Sequence, residues 1–252
     1  VIFDRRRYGR DNYLYLLAEG ADAALVDPGD PDVALALAES YGVAPRFVLH
    51  THGHADHTCG TDEVVRRTGA RVYGHEADSR WYRPHEDVGG QRHLDLGGMR
   101  VEVHEAPGHT PGSVLYAWRG RLLSGDTLFW GGCGNCRHGG DPTRLAASFL
   151  GVIASLDGAL EVHPGHDYAL ANLPFAADLE PENGAAKALQ EAVREARGRG
   201  EEPAPTTLAQ ERAVNPFLRA EALRPALARR GVATADAAEA FLALRRLRDA
   251  WA

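Results

Sequence analysis

Thr51-His52-Gly53-His54-Ala55-Asp56-His57 follows directly on the short apolar run Arg46 to His50, and its reading decides the fold. Four ligand-type side chains, His52, His54, Asp56 and His57, fall within six residues. In extended backbone, side chains repeat every two residues, so His52 and His54 leave on one side and can reach one metal ion. His57 breaks that parity. If the chain bends into a helical turn there, Asp56 and His57 point elsewhere and can take a second ion. Gly53 and Ala55, between the ligands, are small enough for the backbone to crowd around both.

Outward from this motif the chain alternates strand and helix. Tyr13 to Glu19 and Ala23 to Asp27 read as a strand pair closed by the turn Asp27-Pro28-Gly29-Asp30. Pro31 opens a helix that runs to Tyr41 and stops at Gly42, and Arg46 to His50 is the next strand. Further strands are expected at Ala70 to Tyr73, Arg100 to Glu105, Val114 to Trp118, Leu122 to Ser124 and Leu160 to His163, with a helix over Thr143 to Leu156. That alternation is an α/β pattern. After Tyr168 the composition shifts. From Pro181 onward the chain is rich in Ala, Glu, Arg and Leu at helical spacing and offers no strand, so it divides into residues 1–168 and a helical region 169–252.

Composition narrows the function classes. With 252 residues, 44% hydrophobic, 25% charged and a net charge of -7, the chain describes a globular protein rather than a disordered or membrane one. The acidic balance argues against a nucleic-acid surface, and Arg5, Arg6 and Arg7 read as a solvated cluster. No apolar run is long enough to span a membrane, so the default location is the cytoplasm; because position 1 is Val, an N-terminal segment removed from the chain stays open. Three cysteines, Cys59, Cys133 and Cys136, make no disulfide framework and fit a reducing compartment.

A pair of zinc-like ions, each with three protein ligands and sharing one carboxylate, needs seven ligands, so three residues must join the four of the motif. His109 lies in Ala106-Pro107-Gly108-His109-Thr110-Pro111-Gly112-Ser113, Asp126 in Leu123-Ser124-Gly125-Asp126-Thr127, and His166 in His163-Pro164-Gly165-His166-Asp167-Tyr168. Each sits in a turn rich in Gly or Pro after a strand, the place where loops hold ligands on a rigid frame. Alone, each would read as an ordinary histidine or a capping aspartate. The combination with the motif points to metal. His50, His75, His85, His93, His104, His138 and His163 show no such pattern and read as structural or solvent-facing.

H-x-H-x-D-H with these later ligands resembles the metallo-β-lactamase superfamily, which implies an αββα sandwich with the metals at one edge. By that resemblance His52, His54 and His109 bind the first ion, Asp56, His57 and His166 the second, and Asp126 bridges. The ions are expected to be zinc, with iron or manganese accepted by the same ligands. Within the superfamily, Gly125-Asp126-Thr127-Leu128-Phe129, Gly132-Cys133-Gly134, Gly165-His166-Asp167-Tyr168 with Asn172-Leu173, and Asn215-Pro216-Phe217-Leu218-Arg219 resemble type II glyoxalase, hydroxyacylglutathione hydrolase. That resemblance spans nearly the whole chain and includes the helical C-terminal domain. It implies hydrolysis of S-D-lactoylglutathione to D-lactate and glutathione, in methylglyoxal detoxification, by attack of a metal-bridging hydroxide that Asp56 and Asp126 hold and orient. It also implies that Arg245 and Arg248 grip the glycine carboxylate of glutathione and that Tyr168 contacts the same thiol. The partner is thus a small-molecule glutathione thioester, with no nucleic acid, membrane or obligate protein partner.

One loop departs from the family. Where a basic residue, an aromatic and a Glu are usual, this chain has Asn135, Cys136, Arg137, His138, Gly139 and Gly140, which puts thiol specificity in question. The same change creates Cys133, Cys136 and His138 in C-x-x-C-x-H spacing, a pattern that a third metal or a redox pair would use. Two competing functions follow. One is a glutathione persulfide dioxygenase of the same superfamily with a single Fe(II), against which the complete helical tail stands. The other is a noncatalytic metal-binding protein, against which the retained ligands stand.

Overall fold

A computed structural model describes residues 1–251. Its first sheet joins β1 (Ile2–Tyr8), β2 (Asn12–Glu19), β3 (Asp22–Val26), β4 (Phe47–Leu49), β5 (Arg71–Gly74) and β6 (Glu86–Asp87) in that order. The first three strands pair antiparallel; from β3 onward the pairing is parallel, with α1 (Pro31–Ser40), α2 (Ala55–Thr58) and α3 (Thr61–Thr68) in the crossovers. The second sheet contains β7 (His93–Leu96), β8 (Met99–Glu105), β9 (Val114–Trp118) and β10 (Arg121–Gly125). A short ribbon of β11 (Leu128–Phe129) and β12 (Gly132–Cys133) follows, and β13 (Glu161–Pro164) and β14 (Thr206–Thr207) complete the second sheet in the order β14-β13-β10-β9-β8-β7.

Strand β2 shows why the layers form. Its residues are buried on both faces, so the two-residue period divides them between two cores instead of between core and water. Tyr13, Tyr15 and Leu17 pack between the sheets with Val26, Val101, Tyr116 and Trp118. Leu14, Leu16 and Ala18 face the other way, under the helices, with Leu37, Ala38, Val48 and Val64. The outer face of the second sheet, through Leu115, Ala117 and Leu122, packs on Phe149, Phe175, Phe217 and Phe241 of the helical layer. The result is helix, sheet, sheet, helix. Each large apolar side chain so buried contributes about 1.5–3 kcal/mol.

The helical layer comprises α4 (Pro142–Ala147), α5 (Ala169–Leu179), α6 (Gly184–Gly198), α7 (Leu208–Val214), α8 (Arg224–Arg229) and α9 (Ala237–Ala250). The helix expected over Thr143 to Leu156 starts at Pro142, capped by Asp141, and widens to a π-helix at Ser148–Ile153. Two expectations are corrected. The C-terminal region does hold a strand: Thr206 and Thr207 pair antiparallel with Val162 and Glu161. Two residues are too few to show alternation. The Arg5 to Arg7 cluster is not simply solvated, because it lies on β1 and Arg5 is part-buried there, its guanidinium 4.5 Å from the Tyr13 ring and donating to the Pro203 carbonyl. Among the described residues, no helix is long and apolar enough to cross a membrane.

Candidate metal centre

The loops that leave β4, β8, β10 and β13 meet at one edge of the sandwich and carry the seven residues in question. Strand β4 ends at Leu49, the chain bends at Thr51, and His54 is extended immediately before α2 starts at Ala55, so the change of direction between His54 and His57 is a helix start. Close approach demands glycine beside it. A Cβ on Gly134 would lie 2.0 Å from the Asp126 carbonyl and 2.7 Å from His109 Nδ1.

Proton bookkeeping identifies what the cluster is built for. His109 Nδ1 lies 2.7 Å from the Asn135 carbonyl and His54 Nε2 lies 3.1 Å from the His138 carbonyl; a carbonyl only accepts, so both nitrogens carry the protons. Their other nitrogens, His109 Nε2 and His54 Nδ1, are then bare in the neutral rings, yet they face each other at 2.9 Å. His166 Nδ1 likewise donates to Asp11 at 2.9 Å, leaving Nε2 3.1 Å from His57 Nε2 and 3.2 Å from Asp56 Oδ2. Asp126 lies between the groups, Oδ2 at 3.5 Å from His109 Nε2 and 3.3 Å from His166 Nε2, Oδ1 at 3.5 Å from His57 Nε2. His52 Nε2 and Asp126 Oδ1 are buried without a hydrogen-bond partner. Converging lone pairs with no protons between them fit cations. Donor atoms of His52, His54 and His109, and separately of Asp56, His57 and His166, all lie within 4.8 Å of one another.

The same carboxylates draw positive charge into the cluster, and without a cation a proton on His166 takes its place. Burial works against charge on His166, but Asp126, Asp56 and Asp11 outweigh it and push its pKa to about 11. Burial dominates at His109, which falls to about 4, and at His52, which is also lowered. Asp126 is held well below the usual carboxylate range because the surrounding histidines overcome its desolvation.

Four supporting residues have no motif signature. Asp27, read only as a turn residue, is buried at φ 51° and accepts from the Thr51 N–H (2.9 Å) and O–H (2.6 Å). It also faces His57 Nδ1 at 3.3 Å and His50 Nδ1 at 3.5 Å. Asp11 orients His166, and the Asn12 amide donates to Asp56 Oδ2 at 2.9 Å. Asp78 is buried and accepts from Gly53 N–H, Gly112 N–H and the Thr110 hydroxyl, tying the His52–His54 loop to the His109 loop. A strand ending in Asp followed by Pro-Gly is the one signal that pointed toward Asp27.

Beside the ligands opens a cavity of about 240 Å³ whose walls include Phe129, Asn135, Tyr168, Arg245 and Arg248. Tyr168 stacks flat on the His166 ring, 4.8 Å between centroids. Arg245 is nearly buried: it donates to the Cys133 and Gly134 carbonyls and to Asp249. Arg248 is more open and reaches the Ala171 carbonyl and Asn172 at 3.3 Å. The Cys133, Cys136 and His138 spacing assembles no metal group among the described residues. Burial pushes Cys133 up to about 11 and Cys136 to about 12, so both are protonated, unreactive thiols near neutral pH. His138, read as unpatterned, supplies its backbone carbonyl to His54, a role no side-chain pattern reveals.

Comparison with known proteins places the two halves. Residues 7–166 match the metallo-beta-lactamase superfamily model and residues 167–251 the model of the hydroxyacylglutathione hydrolase C-terminus. The chain is 64% identical over 253 residues to a hydroxyacylglutathione hydrolase of Anaeromyxobacter dehalogenans, covering 99% of each. It is 38% identical to that of Methylobacillus flagellatus, covering 95% of each. Among solved structures it resembles ETHE1 from Myxococcus xanthus, with a TM-score of 0.70, 25% identity and 98% and 91% of the two chains covered. It also resembles TTHA1623 in a di-iron-bound form, with a TM-score of 0.61, 27% identity and 86% and 100% covered. On this fold the His/Asp cluster marks a divalent-metal centre.

Proposed function

The chain belongs to the hydroxyacylglutathione hydrolase family of the metallo-beta-lactamase superfamily, and from that premise we propose that it hydrolyses S-D-lactoylglutathione to D-lactate and glutathione. The observation that carries the proposal is an arginine-lined cavity one wall of which, Tyr168, stacks on His166 of the His/Asp cluster. His52, His54 and His109 would hold one ion and Asp56, His57 and His166 the other, with Asp126 between them. Zinc is the proposed occupant, and iron or manganese suits the same donors. When bound, such ions lower the pKa of a coordinated water from 15.7 to about 7 and polarise a carbonyl oxygen.

The protein's own residues supply the rest. The reaction makes a carbon–oxygen bond from water to the thioester carbonyl carbon and breaks the carbon–sulfur bond, and the departing thiolate takes up a proton as glutathione. Asp56 is about half exposed on the open side of the cluster, where its carboxylate orients the attacking water, and Asn12 fixes its other face. Asp126, buried and held ionised, keeps the two ligand groups in register. Arg248, beside Arg245, offers positive charge to the glycine carboxylate of the thiol, and Tyr168 supplies an aromatic wall. A thiolate leaves readily, so no strong general acid is demanded. Three free cysteines suit the proposed cytoplasmic setting.

Steady-state hydrolysis of S-D-lactoylglutathione by metal-loaded protein, with an Arg248→Ala variant alongside, tests the proposal. Turnover that collapses in the variant through a raised KM supports it. Absence of turnover, with oxygen uptake on glutathione persulfide and a single iron per chain, would replace it by the dioxygenase reading.

A further inference from the structure

The two ligand groups are supported by different materials. The Asp56, His57 and His166 group is backed by side chains at the strand ends of the first sheet: Asp27, just after β3, faces His57, Asp11, just before β2, accepts from His166, and Asn12 donates to Asp56. In the other group, only His52 has a side chain of the same kind beside it, its Nδ1 3.1 Å from the hydroxyl of Thr51 just after β4. His109 and His54 both give their outer N–H to backbone carbonyls of one exposed loop, those of Asn135 and His138. This is the loop whose sequence departs from the family.

The loop is fastened at its far side to the thiol cavity. Asn135 Oδ1 accepts from the Arg137 N–H at 2.9 Å, and the Arg137 guanidinium donates to the Asp249 carbonyl at 2.9 Å. Asp249 Oδ1 lies 3.6 Å from Arg137 and accepts from Arg245 at 2.9 Å, so one aspartate of α9 stands between an arginine of the loop and an arginine of the cavity wall. We propose that Arg137 is a positioning residue for the first ion position, clasping the Asn135–Gly140 loop to α9 so that filling of the thiol cavity and binding of that ion are energetically coupled. This rests on the reading that the histidines hold metal. A ligand carboxylate that competes with Asp249 for the arginines changes the tension on the loop, and the loop sets the direction of the His54 and His109 rings. Coupling of this kind is reciprocal.

Removal of zinc from the holoenzyme by a chromophoric chelator reads the affinities of the two positions, and His109→Ala identifies the phase that belongs to the first. Arg137→Ala should weaken that phase about threefold to tenfold, leave the other phase within about twofold and leave the unfolding midpoint unchanged, because the side chain is exposed. Arg137→Lys should restore most of the affinity. Gly139→Ala, which forces the loop out of φ 94°, should weaken the same phase by about tenfold or more. S-methylglutathione, a thioether that cannot be hydrolysed, should shift the first phase severalfold in the wild type and not in Arg137→Ala. Equal loss from both phases, or no change in either, overturns the positioning role. Binding of S-methylglutathione without a shift overturns the coupling. Failure of S-methylglutathione to bind overturns the thiol reading and the coupling with it, while the Arg137 result still decides the positioning role.

Discussion

Asp27→Asn isolates a buried carboxylate that lies outside the cavity and faces His57, one of the proposed ligands. The replacement keeps the shape and tolerates the φ of 51°, which asparagine adopts more readily than most residues. What changes is the donor count. Oδ1 accepts from the Thr51 N–H and faces His50, while Oδ2 accepts from the Thr51 O–H and faces His57 Nδ1. An amide NH2 turned to the first side meets a backbone N–H that cannot rotate away, leaving a buried donor unpaired at about 1–3 kcal/mol. Turned to the second side, it meets a hydroxyl that can rotate and a histidine that can change tautomer. His57 then accepts on Nδ1 and carries its proton on Nε2, the nitrogen aimed at Asp126 and His166. A proton there must be displaced before an ion can bind. Partners of this kind are worth about tenfold to hundredfold in metal affinity, or about 1.4–2.7 kcal/mol. Chelator competition should show that loss in the phase belonging to the Asp56, His57 and His166 group, with turnover falling in parallel at limiting zinc. Wild-type affinity in both phases would refute the tautomer argument.

Asp126→Ala removes the only carboxylate, among the described residues, within 3.5 Å of ring nitrogens from both groups, so metal content and turnover of S-D-lactoylglutathione should both collapse; near wild-type turnover with full metal would defeat that assignment. Gly134→Ala drives a Cβ against the Asp126 carbonyl and His109 ring, and a shift near 1 Å at reacting groups should lower kcat about a hundredfold, measurable against unchanged circular dichroism. Glu202 predicts an acid dependence. Burial raises its pKa, but hydrogen bonds from Arg197 and Tyr13 prevail and hold it at about 2, below the unfolded value near 4.5. Its contribution to stability is therefore present above pH 4.5 and disappears as pH falls toward 2; because the side chain is 41% exposed, solvent screening keeps this to well under about 1 kcal/mol. Urea titrations between those pH values should show a shallower decline for Glu202→Gln than for wild type.

Sequence reading reached furthest where residues are contiguous. Strand β9 runs from Val114 to Trp118 as expected, and α1 begins at Pro31 because Asp30 caps it and proline suits the first turn. The parity break at His57 was visible because a helix start changes the side-chain period within four residues, and α2 begins at Ala55. Long-range support was invisible for the opposite reason. Asp11 and His166 are 155 residues apart, Asp78 and Gly112 are 34 apart, and neither aspartate stands in a motif. Strand β1 was hidden because its burial is partial and its arginines read as surface, although Arg5 lies over two aromatic rings. Carbonyl support of His109 by Asn135 and of His54 by His138 has no side-chain signature at all.

The helical half does more than wall the arginine-lined cavity, and Asn215 shows how. Its amide donates to the Phe129 and Gly132 carbonyls and to Glu211, while Glu211, fully buried, accepts from the Gly131 N–H and the Thr206 hydroxyl. Asn172 donates to the Trp130 carbonyl and Arg245 to those of Cys133 and Gly134. Four side chains from the helical tail thus satisfy the backbone of one ribbon, β11 and β12, that an isolated two-stranded hairpin could not hold in place. That ribbon begins two residues after Asp126 and ends two residues before Asn135, whose carbonyl orients His109. Burial moves Glu211 above its ordinary pKa, which the three donors oppose, so the tail spends a desolvated carboxyl on this contact. A cost of that kind is offset only if the ribbon must be fixed, and the groups at its two ends are a carboxylate between the ligand groups and the outer support of a histidine ligand. The motif Asn215-Pro216-Phe217-Leu218-Arg219 therefore belongs to the metal centre by way of the ribbon, while Phe217 fills the core beneath it.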